Sequence, residues 1–323
     1  MSPESSLDAT LANGPESAEP FHYVVNVSEV ENLQKCLQSE FASLCAVLLR
    51  NLEKIRRIHM MPYHVAGHGV ARFFYTVKYV ETALQSGKTG EQAIRENTPV
   101  ARELFANFLR QQSGHDELAL AIDESVRELM HRPEFRQAMQ MLFFVSIPLL
   151  WSAFETVARD SWVTLVNSAD SRTVHRIFRK GADRGFDTAN KEQSISVDRL
   201  AKFDFDLRGK FGLMLQDKFH FSSVSGMSRA YSAVSETFPA EIFEAKDLKR
   251  AEQLRHLIVH NAGIIDERYQ KAVHSTQNVG EEVAVTDEDV SSVGCAVVHA
   301  AAGVLKFANA ARERMTEFRQ GRV

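Results

Sequence analysis

Apolar positions recur every three to four residues along most of this chain, with none of the strand-like alternation that would mark a sheet. The stretch opening at Ser28-Glu29-Val30-Glu31 places a glutamate three residues after a serine. That spacing predicts a capped helix running to about Ile58 and broken at Pro62. Further helical patterns cover Val70–Gln85, Gly90–Gln112 and Glu117–Met130, separated by the breakers "SGKTG" and "QSGHD". A long helix is predicted from Pro133, which suits a first helical turn, to Asn167, with Pro148 as a kink.

From Lys180 to Val197 the pattern gives way to a polar, irregular stretch, "KGADRGFDTANKEQSIS", that reads as a loop. Short helices are expected within Val197–Leu215 and Ser228–Ser235, and a stronger one at Asp247–Ala262. "EEVAV" (Glu281–Val285) suits a short extended piece, and a final helix starts near Thr286. No repeat is present. The expected class is all-α, a multi-helix bundle, with a disordered tail at 1–20, an N-terminal helical region at 21–132 and a C-terminal helical domain at 133–320.

Composition narrows this little. The chain has 323 residues, 44% hydrophobic and 25% charged, with a net charge of −4, so bulk electrostatics do not announce a nucleic-acid binder. Three cysteines fit neither a disulfide framework nor a zinc cluster and suggest a cytoplasmic protein. The N-terminus lacks the basic start and apolar core of a signal peptide. The longest apolar run, Met141–Phe154, falls short of the roughly 20 residues of a membrane span and reads as a core helix with Trp151 and Phe154 inside. A basic patch at Arg172, Arg176, Arg179 and Lys180 could contact RNA. It also fits a solvated helix face, as does the cluster from Arg50 to His59.

The chemistry-bearing stretch is "EQLRHLIVHNAGIIDERY" (Glu252–Tyr269). On a helical wheel Leu248, Ala251, Leu254, Ile258 and Ala262 form an apolar stripe, while His256 and His260 share the polar face with Lys249 and Gln253. Arg255 falls in the apolar arc, where a charge is costly unless paired. Glu155, the first charge after a long apolar run, has the same problem, so the two are expected to form an ion pair, with Arg159 as rival partner. Gly263 reads as the helix stop. His260 would then lie in the last turn, where the macrodipole favours its protonated form.

"LRHLIVHNAGIIDERY" resembles the signature of the HEPN superfamily, an arginine followed by a polar residue, three more residues and a histidine. "LLWSAFETVARDSW" (Leu149–Trp162) is similar to the family's earlier glutamate-bearing helix, and the tail "GEEVAVTDEDVSSVGCAVVHAAAGVL" also fits. The resemblance covers about residues 133–318 and is closest to the bacterial stand-alone RiboL-PSP-HEPN or MAE-type branch. It implies a HEPN-like domain that dimerises and cleaves RNA through the 2′-hydroxyl, without metal or cofactor, at a site shared by two copies. Arg255 and His260 would be the catalytic pair, with His256, Asn261 and Glu155 supporting. Family members serve as toxins or in antiphage defence, so an antitoxin or defence protein is a partner class to expect, and a membrane is not. Three other readings remain open: a helix whose cations merely complement its C-terminus, a non-catalytic RNA- or protein-binding scaffold of the same fold, and a metal-dependent hydrolase on Glu252, His256 and His260, which sit at i, i+4 spacing as His64 and His68 do.

Overall fold

A computed structural model describes residues 25–88, 90–180, 195–273 and 275–319. Among these residues the chain forms thirteen α-helices and no strand; a single bridge joins Ile264 to Glu282 in the place where an extended piece was expected. The tail at 1–20 and most of the loop after Lys180 lie outside the described residues.

The first helical segment is two helices, α1 (Ser28–Gln34) and α2 (Ser39–His59), rather than one. Ser28 does not cap. Val27 takes the cap position, and the side-chain oxygen of Asn26 accepts from both the Ser28 amide (3.0 Å) and its hydroxyl (2.6 Å). The break between the helices is held by α13 (Asp287–Arg319): the Gln38 amide donates to the Asn309 side chain at 2.9 Å, and Lys306 and Arg312 pair with Glu29 and Glu40, each at 2.7 Å. These contacts explain why the compact units differ from a 21–132 and 133–320 division. Residues 23–56 belong with 143–323, and the described part of the other unit is 57–142.

In that smaller unit, α3 (Met61–Ser86) packs against both α4 (Gly90–Arg110) and α5 (Gln112–Met130). Pro62 sits in the first turn of α3, where its missing amide costs nothing, so His64 and His68 are exposed helical residues. Phe74 and Phe108 stack at 5.3 Å between ring centres.

The larger unit is organised on α6 (Pro133–Asn167), followed by α7 (Ser171–Lys180), α8 (Val197–Ala201) and α9 (Phe211–Leu215). Trp151, Phe154 and Trp162 of α6 are fully buried. Trp162 Nε1 donates to the Ala230 carbonyl at 2.8 Å, and the Tyr231 hydroxyl donates to the Ala158 carbonyl at 2.7 Å, which fasten α10 (Val224–Val234) to α6. Both groups are buried and satisfied, as a close-packed interior requires. α6 and residues 287–317 are each long and apolar enough to cross a bilayer, and 50% and 61% of their most apolar windows are buried inside the protein. α11 (Lys246–Asn261) and α12 (Glu267–Val273) complete the unit. α11 packs against α13, with Leu248, Ala251, Leu254, Leu257 and Ile258 buried, and Arg250 pairs with Asp289 at the start of α13.

Candidate active site

The end of α11 is set by backbone geometry. Ala262 and Gly263 both take left-handed conformations (φ 50° and 79°), and the Gly263 amide returns to the Leu257 carbonyl at 3.1 Å. The stop therefore begins at Ala262, one residue before the expected glycine. Gly263 is needed for a second reason: a Cβ there would lie 2.5 Å from the Phe144 ring of α6. Val283 donates its amide to the Gly263 carbonyl, and Ile265 to that of Glu281, both at 2.9 Å, so the turn is clamped from both sides.

This helix end brings Arg255 and His260 together, with Nη1 and Nε2 3.4 Å apart in a solvent-facing contact. A guanidinium only donates, so the contact is a hydrogen bond only when Nε2 carries its lone pair; it is long for one. Arg255 is half-buried and resolves its awkward position by extending its head to the histidine, while the neighbouring Val259 is half exposed. The rings of His256 and His260 lie 4.7 Å apart, centre to centre. Burial holds the His256 pKa below the usual imidazole range, and the positive charges of His260, Arg268 and Arg255 add to this against the opposing Asp266.

Two residues of this electrostatic neighbourhood, Arg268 and Asp266, come from or just before α12 and went unnoticed in the sequence. The signal that could have found them is the "DERY" that follows the helix stop. Asp266 caps α12, its Oδ1 accepting from the Tyr269 amide at 2.7 Å.

Other expected residues do different work. Asn261 donates to the Ile264 carbonyl (3.3 Å) and to Asp266 (3.2 Å), so its amide is engaged in the turn. The Glu155–Arg255 ion pair is not formed, and Arg159 pairs with Asp160 instead, at 3.1 Å. Glu155 is half-buried and lines a separate open hollow with Arg159, Asp217 and His220, a hollow that Arg255 does not line. Glu252 accepts from the Val224 amide at 3.2 Å, and burial raises its pKa. Turned toward α10, it does not converge with the two histidines, and among the described residues no three His, Cys, Asp or Glu side chains do. In the basic patch, Arg176 is a structural tether, donating to the Ala233 carbonyl (3.1 Å) and to that of Val234 at the end of α10. Arg172 and Arg179 are exposed, and the Lys180 side chain lies outside the described part.

Set against known proteins, the chain matches no protein-family model, no curated protein and no solved structure.

Proposed function

We propose that this protein is a metal-independent endoribonuclease of HEPN type, acting as a homodimer in the cytoplasm. The observation that carries the reading is the solvent-facing Arg255–His260 contact at a fixed helix end. RNA supplies its own nucleophile. The 2′-oxygen attacks the adjacent phosphorus, and its proton passes to His260 Nε2. Protonation there ends the contact with Arg255, because both groups are then donors. The guanidinium is released to hold the non-bridging phosphate oxygens as negative charge builds. The 5′-oxygen leaves with a proton from the equivalent histidine of a second copy, which is why the reading requires a dimer. His256, whose pKa is held below the usual imidazole range, donates its ring N–H to the 2′-oxygen and orients it. A toxin or defence role, with an antitoxin or defence partner, extends the same reading.

The test is incubation of the full chain with mixed RNA, with and without EDTA. Cleavage should persist in EDTA, leave 2′,3′-cyclic phosphate ends and spare an all-2′-deoxy strand. His260→Ala should cost about 10²–10⁴-fold in rate, the usual share of a general acid–base group. Arg255→Ala should be comparably damaging, with the dimer intact by sedimentation. RNA that is bound but never cut would instead favour a binding module, and loss of cutting in EDTA a metal hydrolase.

A further inference from the structure

The polar face of α11 continues well beyond the Arg255–His260 pair. Lys246, Lys249, Gln253, His256 and His260 are spaced three, four, three and four residues apart, so they share one stripe of the helix. From Lys246 to His256 that stripe runs ten residues, about 15 Å at 1.5 Å per residue. The upstream half borders a groove of about 570 Å³ between α10, α11 and the end of α12. Lys246, Lys249 and Gln253 line it from α11, and Ser225 and Ser228 from α10. Among the described residues neither lysine engages a carboxylate, and both are exposed. Two carboxylates border the groove. Glu252 is turned to the Val224 amide, and Glu244 is exposed. The remaining cation, Arg250, is already paired with Asp289.

From this juxtaposition we infer that the groove is a track for single-stranded RNA, leading the strand along α11 to the Arg255–His260 pair. Lys246 and Lys249 hold successive phosphates as point charges, and the Ser225 and Ser228 hydroxyls and Gln253 amide meet sugar hydroxyls and base edges. The inference rests on the ribonuclease reading for what happens at the far end of the track, though not for binding itself.

The probe is a fluorescent 2′-O-methyl RNA decamer, which keeps the phosphates and bases of RNA but cannot be cut, titrated by anisotropy against the full chain. Each single-strand phosphate contact contributes about 0.7 to the slope of log affinity against log salt, so Lys246→Ala/Lys249→Ala should lower that slope by about 1.4. The same relation makes the double variant roughly 25-fold weaker at 0.1 M salt and nearly equal to the parent at 1 M. Lys202→Ala/Arg208→Ala removes the same net charge away from the groove and should change affinity less than about 3-fold. Equal affinity for parent and groove variant at 0.1 M, or equal loss in the two double variants, overturns the track. If no RNA is cut yet the groove variant loses affinity, the nuclease reading fails and the track stands. If His260→Ala abolishes cutting while the groove variant binds and cuts the decamer's unmodified counterpart normally, the track alone falls.

Discussion

Gly263→Ala tests whether the site is held by the close approach of α6 to the end of α11. The φ of 79° is a left-handed conformation that costs a residue with a Cβ about 1–2 kcal/mol. The new methyl would also sit 2.5 and 2.6 Å from two carbons of the Phe144 ring, where about 3.5–4 Å is comfortable, so the ring must retreat by about 1 Å. Overpacking of that size costs about 1–3 kcal/mol, giving about 2–5 kcal/mol together. Both tryptophans, Trp151 and Trp162, belong to the same unit as Gly263, so denaturation followed by tryptophan fluorescence reads that unit and not the other. Repeating the substitution in a Phe144→Ala background removes the steric part, and the cost should fall to about 1–2 kcal/mol. Equal losses in the two backgrounds, or a total below about 1 kcal/mol, would mean that Phe144 does not seat the helix end and would refute the reasoning.

Three further outcomes follow from the same geometry. Ala262→Gly should stabilise by about 0.5–1 kcal/mol in the same fluorescence assay, because Ala262 already has φ 50°. Arg176→Ala should cost about 1–3 kcal/mol through its lost bonds to the α10 carbonyls, whereas Arg172→Ala should fall within about 0.5 kcal/mol of the parent; an equal effect of the two would contradict the tether. His59 is fully buried and hydrogen-bonded to the Leu142 backbone, with its pKa lowered by burial to about 4 from 6.5. The unfolded chain then binds more protons between those values, so stability is unaffected above pH 6.5 and falls as pH drops, by about 3 kcal/mol at pH 4. His59→Leu should flatten that slope in thermal melts followed by circular dichroism.

What could be read from the sequence was whatever depends on neighbours in the chain. α4, α6, α11 and α13 were foreseen because their apolar periodicity is long, and α6 was bounded at Pro133 and Asn167 by a favourable first-turn proline and a loss of pattern. The nearness of Arg255 and His260 was legible for the same reason, being a property of one helix. Features made by distant segments were not. The split between α1 and α2 depends on Asn309, Lys306 and Arg312, some 270 residues away. Arg176 looked like part of an RNA-facing patch because nothing local reveals that two α10 carbonyls await it. Glu155 and Arg255 were paired on the premise that both were deeply buried. Each is only half-buried and finds separate relief, one at an open hollow and the other through the reach of its side chain.

The premise failed, yet four of the five residues of the expected stripe are buried, Ala262 alone being exposed just past the helix end, because the rotation of α11 does not depend on any single charge. Leu248, Ala251, Leu254 and Ile258 together fix which arc of the helix meets the core. At about 0.8 kcal/mol per buried methylene, turning four such residues outward would cost several kcal/mol, more than one half-exposed ion pair could return. Once that arc is inward, Lys246, Lys249, Gln253, His256 and His260 must face out together, and Arg255 is left at the rim, where its long side chain can reach either way. The chemistry at the helix end is thus positioned by apolar residues that never touch it, and the left-handed pair Ala262–Gly263 fixes where the helix, and with it the stripe, ends.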